Sequence, residues 1–400
     1  MEELLTASPL DVGYPGKTVI SGVDLHALRG QVICLLGPNG AGKSTILRTL
    51  SGLLAPRQGI VEIESTDIRS INKKALARKL SLVLTDAVSP ALTTVWQLLS
   101  LGRTPYTDFL GRLTGEDKAV IREALQTVGA ENLRDRYYCE LSDGEKQKVM
   151  IARALVQEPE LMILDEPTSH LDIKHKVEVI RVLQKLANEK HITCILSLHD
   201  IDLALKGCQT VLLVHDGRVV AQGTPEDIVK DGMIGTLYDM TDAEYNERYG
   251  SIELKGWPGT DIFIVGGCGT GTRLYRALSR MGWGLASGVL HENDGDYPIA
   301  KTICTEVVSE EAFEPISQEA LEQAEALMEK TRFVVDAGFP VGSGNQGNWQ
   351  LLQTALDRGK PVFTLRSPES CRALFGSRGD RLIPADTVES LFEKIRQQEV

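Results

Sequence analysis

Apolar and polar residues over the first 230 positions fall into short runs of two different periods. Residues 18–36 alternate and then close into Val32-Ile33-Cys34-Leu35-Leu36, the pattern of a buried strand. Ser44 to Leu50 places apolar residues at helical spacing, whereas Gly59 to Glu64 alternates like an exposed strand. Residues 92–139 read mostly as helices, with Pro105, Gly111 and Gly115 breaking them. Strand-like runs return at 160–164, 192–198 and 210–214, each separated by helical pattern. Strands alternating with helices predict a largely parallel α/β sheet across residues 1–230.

The rhythm fails over 231–258, where Gly232, Gly235, Gly250, Gly256 and Pro258 lie among charged residues, so a linker is expected there. A second, smaller α/β unit is expected over 259–400. It opens on a strand at 261–265, with further strands at 285–290, 332–336 and 361–365 and helices at 271–281, 317–330, 348–358 and 388–397. It repeats none of the motifs of the first unit.

A length of 400 residues exceeds what one hydrophobic core usually supports, in keeping with two units. The formal charge of -12 argues against a sequence-blind nucleic-acid binder, and no nucleic-acid partner is expected. No apolar stretch reaches the roughly 18 residues that cross a bilayer. The opening MEELLTASPL lacks the basic start and apolar core of a secretory signal, so a cytoplasmic chain is expected. Seven cysteines (Cys34, Cys139, Cys194, Cys208, Cys268, Cys304 and Cys371) are dispersed without a C-x-x-C pair, which fits reduced thiols rather than a disulfide framework or structural zinc. His170 and His175 are read as solvated side chains.

Gly37-Pro38-Asn39-Gly40-Ala41-Gly42-Lys43-Ser44-Thr45 fits the P-loop pattern, with a strand before it and a helix after it. Its glycines let backbone N–H groups converge on phosphate oxygens, and the helix N-terminus adds partial positive charge. A nucleoside triphosphate is the expected substrate: Lys43 reaches its β- and γ-phosphates, and Ser44 holds Mg²⁺ through its hydroxyl. The run Leu161-Met-Ile-Leu-Asp165-Glu166 is an apolar strand ending in two acids. Asp165 is expected to hold Mg²⁺ through water and Glu166 to polarise the attacking water. These two motifs define no more than a P-loop NTPase.

Leu141-Ser-Asp-Gly-Glu-Lys-Gln-Lys-Val149 is more specific, because it resembles the L-S-G-G-Q signature of ABC transporter ATPases, with Asp143 and Glu145 at the third and fifth places. The resemblance covers about residues 3–230. It implies a helical subdomain at about 87–155, Tyr14 as the aromatic that stacks on adenine, and Ser169-His-Leu-Asp172 as the loop after the catalytic acid. His199 then corresponds to the switch histidine. It also implies that Ser142 and Gly144 act on nucleotide held by a second copy. One P-loop and one signature per chain therefore imply a head-to-tail homodimer.

This sequence departs from the family at Leu82-Val-Leu-Thr-Asp86, where Asp86 replaces the usual glutamine beside Mg²⁺ and the membrane partner. The expectation is that Asp86 still offers oxygen to the ion, with altered coupling; an ordinary loop acid is the alternative. Leu101-Gly-Arg-Thr-Pro-Tyr106, the stretch Leu141 to Ala154 and Leu198-His-Asp-Ile-Asp-Leu-Ala204 look like importers of ferric siderophores, haem and cobalamin. That subfamily implies integral-membrane permease subunits, an indirect external substrate-binding protein, and a place on the inner face of the cell membrane. Soluble ABC ATPases of translation or DNA repair are the competing class, but this chain has neither paired cassettes nor a long coiled-coil insert.

In the second unit, Gly266-Gly-Cys-Gly-Thr-Gly271 follows a strand and opens a helix, and Gly342-Ser-Gly-Asn-Gln-Gly-Asn348 is a second polar loop. Both are expected at strand C-termini, the natural crevice of an open α/β sheet, with Glu292 and Asp294 near a ribose hydroxyl. A sensor of a nucleotide or related anionic small molecule is expected. An enzyme using Asp294, Asp296, Asp336 or Cys268, or a purely dimer-stabilising domain, are the rivals.

Overall fold

The structure, a computed structural model, describes residues 2–84, 92–108, 111–229 and 233–398. The chain divides into two compact units, Met1–Asp239 and Met240–Val400.

The first unit begins β1 (Glu3–Tyr14), β2 (Lys17–Leu28), β3 (Val32–Leu36), α1 (Lys43–Leu50), β4 (Gln58–Ile63), β5 (Thr66–Asp67), α2 (Lys73–Lys79) and β6 (Leu80–Val83). It continues α3 (Val95–Gly102), α4 (Gly115–Val128), α5 (Asp143–Leu155), β7 (Leu161–Leu164), α6 (Ile173–Lys190), β8 (Thr193–Leu198) and α7 (Ile201–Gly207). It closes with β9 (Thr210–His215), β10 (Arg218–Gly223), α8 (Pro225–Ile228) and α9 (Met233–Leu237).

One mixed sheet runs β5-β4-β1-β2-β10-β9-β3-β8-β7-β6. Strands β3, β7 and β8 are buried along their whole length and pair in parallel, which is why they read as unbroken apolar runs rather than alternating ones. In the antiparallel pair β1 and β2, β2 alternates over Val23–Ala27 instead, and Leu10 and Ile20 share a core with Ile46 and Leu47 of α1.

Gly115 does not break a helix; it is the first residue of α4. Thr114 Oγ1 accepts from Asp117 N at 3.2 Å, while the Asp117 carboxylate accepts from Thr114 N at 2.8 Å, and this reciprocal cap starts the helix ahead of the glycine. Gly102 ends α3 where any Cβ would lie 2.7 Å from Arg153 O, so α3 approaches α5 as closely as backbone allows.

The second unit runs β11 (Ala243–Asn246), β12 (Ser251–Leu254), β13 (Trp257–Val265), α10 (Thr272–Arg280), β14 (Gly284–His291), α11 (Asp296–Ile303), β15 (Glu306–Glu310) and α12 (Gln318–Glu329). It ends β16 (Phe333–Asp336), α13 (Gln346–Asp357), β17 (Val362–Thr364), α14 (Pro368–Phe375), β18 (Ile383–Pro384) and α15 (Val388–Gln397). The stretch 231–258, expected as a linker, carries α9 and the antiparallel hairpin of β11 and β12; elements of four or five residues are too short to show a period.

A parallel sheet follows, in the order β15-β14-β13-β16-β17-β18. Along β13, Ile262 and Ile264 face a core with α10, α11 and α15, whereas Phe263 and Val265 face one with α12, α13 and α14. Helices thus cover both faces in a Rossmann-like arrangement whose strand order reverses between β13 and β16.

Candidate active site

The P-loop joins β3 to α1. Gly37 has no room for a side chain, since a Cβ there would lie 2.1 Å from Val214 O. Gly42 sits at φ 103 immediately before α1 and offers no side chain to cap it, which leaves that helix terminus to an incoming anion. Lys43, only 4% exposed, donates Nζ to Gly37 O at 2.8 Å and Pro38 O at 3.0 Å, so its ammonium lies folded across the mouth of the loop. Burial pulls the Lys43 pKa down, and the charges of Glu166 and Asp165 partly oppose that pull. Pro38, Asn39, Gly40 and Ala41 form the partly or fully exposed outer turn of the loop, while Thr45 is buried on α1.

Asp165 and Glu166 follow β7 and are brought to the same place. Ser44 Oγ donates to Asp165 Oδ1 at 3.0 Å, so the P-loop hydroxyl and the strand-end carboxylate form one oxygen-rich pair. Glu166 adopts φ 48, a conformation that non-glycine residues rarely take and that is commonest where function over-determines the backbone. His199, after β8, bonds Glu166 Oε1, and Ser169 Oγ donates to Oε2 at 2.9 Å. Partial burial raises the Glu166 pKa, but the bonds from His199 and Ser169 and the charge of Lys43 outweigh it and hold the carboxyl below its usual range.

Ser197 is a residue that sequence reasoning missed. Fully buried on β8, its hydroxyl donates to Asp165 Oδ1 at 2.8 Å and accepts from Glu166 N at 2.9 Å, fixing both acids at once. Its only signal was a lone hydroxyl inside the apolar run 192–198.

Ser142 is the N-cap of α5, and Glu145 completes a capping box: Glu145 Oε2 accepts from Ser142 N at 2.9 Å and from Ser142 Oγ at 3.0 Å. The acid at the fifth signature position therefore has a local helix-starting role. Gly144 lies against the His175 ring, with a Cβ there only 2.5 Å from Cδ2. His175 is not the solvated side chain expected from sequence. It is partly buried and its Nδ1 meets Asp172 Oδ1, the N-cap of α6, at 2.8 Å. His170 is exposed. Tyr14 ends β1 at the hairpin into β2 and is 44% exposed, its ring open to a stacking partner. Asp86 lies outside the described residues.

The ABC transporter family profile matches residues 20–169, and that of the MJ0874 family matches residues 285–394. An uncharacterized ABC transporter ATP-binding protein of Methanocaldococcus jannaschii is 43% identical, over 72% of this chain and 100% of its own length. The chain belongs to the ABC transporter ATP-binding proteins. It is an ATPase of the class coupled to transport, and its first unit is the ABC cassette. The cobalamin import ATP-binding protein BtuD of Halobacterium salinarum is 32% identical over 76% of this ABC protein and 78% of its own length. The ferric enterobactin transport ATP-binding protein FepC of Escherichia coli is 35% identical over 59% and 87%. A solved ABC protein, cbiO1 of Clostridium perfringens, superposes with a TM-score of 0.52 at 30% identity, covering 58% of this chain and 93% of that one.

The second unit of the ABC protein corrects one expectation. The loop Gly266–Thr272 has the form of a phosphate cradle, but Asp296, fully buried, already fills it. Its carboxylate accepts from Gly267 N at 3.0 Å and from Gly271 N, Thr272 N and Thr272 Oγ1 at 2.8 Å each. Asp294 accepts from Cys268 N at 2.6 Å and so also holds the loop. An internal carboxylate thus occupies the place where an anion would bind. Asp336, another acid considered for an enzyme, is likewise committed: it is buried against Arg366 Nε at 2.7 Å and Thr364 Oγ1 at 2.8 Å. Cys268 is exposed, but burial and the charges of Asp294 and Asp296 push its thiol pKa up, away from nucleophilic thiolate.

Proposed function

We propose that this ABC protein is the ATP-hydrolysing subunit of an importer for a metal chelate or cobalamin, and that it works as a head-to-tail pair. The clustering of Lys43, Ser44, Asp165, Glu166 and His199, linked by hydrogen bonds and charge, carries the hydrolytic part of this reading. The ionised Glu166 accepts a proton from the attacking water, while His199 holds the carboxylate in place and Lys43 offsets phosphate charge. Ser44 and Asp165 are hard oxygen donors 3.0 Å apart, a set that fits Mg²⁺. When bound there, the ion supplies charge neutralisation between the phosphates; Asp86 is proposed as a further oxygen near it.

Pairing rests on the single P-loop and single signature in the chain. The N-terminus of α5, at Ser142 and Gly144, carries partial positive charge, which suits a γ-phosphate on a second copy. Relatives named for cobalamin import and ferric enterobactin transport support the cargo class. Among the described residues no helix is long and apolar enough to cross a membrane, so a separate permease is proposed to carry the transmembrane path. The second unit is proposed to regulate the cassette by binding a small molecule in its crevice.

Detergent extraction followed by affinity capture of the full chain tests the transport assignment. A many-helix membrane protein that co-purifies and stimulates ATP hydrolysis is the expected result. Recovery solely with ribosomes or DNA contradicts it.

A further inference from the structure

The crevice of the second unit has the shape of a ligand site but the wrong electrostatics for phosphate. Loops after β13, β14 and β16 meet where the strand order reverses and enclose a cleft of ≈ 390 Å³, within the range of small-molecule sites. Gly267, Cys268, His291, Asp294, Ser343 and Asn345 are among its lining residues, and among the described residues no lysine or arginine lines it.

Three observations set its charge. First, the glycine-loop N–H groups that bind phosphate in such folds are taken by Asp296. Second, Asp294 faces the cleft with each carboxylate oxygen used once, Oδ2 by Cys268 N at 2.6 Å and Oδ1 by Asp296 N at 2.8 Å. A carboxylate oxygen accepts two bonds, so capacity for a donor remains on both. Third, the only bond His291 Nε2 can make to Glu314 O, at 2.8 Å, is as donor, which leaves Nδ1 of the neutral ring as an acceptor. The exposed Glu292 adjoins it, bonded to Glu310 O through its N–H at 3.0 Å. Arg248 is committed to the carbonyls of Asn293 and Asp294 at 2.9 and 3.0 Å and is not among the lining residues.

Among the described lining residues a phosphate placed here would meet the Asp294 carboxylate and no cationic side chain, whereas an ammonium group would find acceptors on Asp294 and His291. We infer that this crevice binds a small organic cation, an ammonium-bearing polar molecule, and excludes nucleotides and other phosphates. The inference rests on the reading of the second unit as a small-molecule sensor.

Cys268 reports on the cleft directly, because its thiol is exposed there. The full chain is treated with 2-aminoethyl methanethiosulfonate, which is cationic, and with the anionic 2-sulfonatoethyl reagent. In each case the Cys268 thiolate attacks the reagent's sulfenyl sulfur, forms a mixed disulfide and expels methanesulfinate. The exposed Cys139 of the first unit serves as the rate reference. The cationic reagent is expected to label Cys268 faster, relative to Cys139, by about tenfold or more, the scale of charge focusing in a cleft. Asp294→Asn reduces that preference; Glu292→Gln, at an exposed position, reduces it without disturbing the loop. Inorganic phosphate and NAD leave the Cys268 rate unchanged. Faster labelling by the anionic reagent, or protection by phosphate or NAD, overturns the inference. ATP hydrolysis by the cation-labelled protein, in a Cys139→Ser background, separates the two readings. A charge preference with an altered rate supports both, and a charge preference with an unaltered rate upholds the ligand class while overturning the regulatory role.

Discussion

Asp165 and Glu166 are neighbouring carboxylates to which their partners give different tasks. Asp165 is tied to the hydroxyls of Ser44 and Ser197, whereas Glu166 is turned at φ 48 towards His199 and Ser169. The residue types and their order were legible in the sequence, because the chemistry needs an apolar strand ending in two acids. Ser197 was not, since a hydroxyl in a buried strand has a local alternative in any backbone carbonyl, and nothing in the spacing tells that β8 lies beside β7. Ser197→Ala leaves Glu166 N–H without its acceptor and Asp165 without one donor. We expect kcat to fall roughly 10- to 100-fold, the scale of about 1–3 kcal/mol for leaving a buried polar group unsatisfied, with ATP affinity near that of the parent. Steady-state kinetics beside an ATP-binding titration measure both; an unchanged kcat contradicts the positioning role.

Two glycine-rich loops, each joining a strand to a helix, look alike along the chain and differ in what fills them. Gly37–Thr45 ends on a helix that its own N-cap glycine leaves uncapped, whereas the helix after Gly266–Gly271 is capped by Asp296, 25 residues beyond Gly271. No local pattern reveals so distant a partner, which is why the second loop reads as a phosphate site until the fold is seen. The same limit applies at 231–258, where short elements carry no period, and at Gly115, where a reciprocal cap outweighs a glycine. The longer strands and helices were legible because burial on two faces, or one, imposes its own periodicity. Asp296→Ala removes the acceptor of three N–H groups and one hydroxyl. It should destabilise the second unit by about 2–4 kcal/mol, read by chemical unfolding. A loss well under ~1 kcal/mol would mean that the loop is held by something other than this carboxylate.

At the scale of the whole molecule, the chain joins a cassette to a Rossmann-like unit and matches a separate family in each. The cassette carries one half of each proposed composite site: a P-loop with its acids, and a capped signature helix proposed to meet the nucleotide of a second copy. ATP is therefore expected to act as the joint between two copies, and its hydrolysis as the release. Sedimentation velocity of the full-length Glu166→Gln protein, with and without Mg²⁺ and ATP, tests this claim most directly. The account predicts monomers without nucleotide, dimers that persist with ATP, and no measurable hydrolysis. Near-normal turnover, or a species that stays monomeric at saturating ATP, would contradict it.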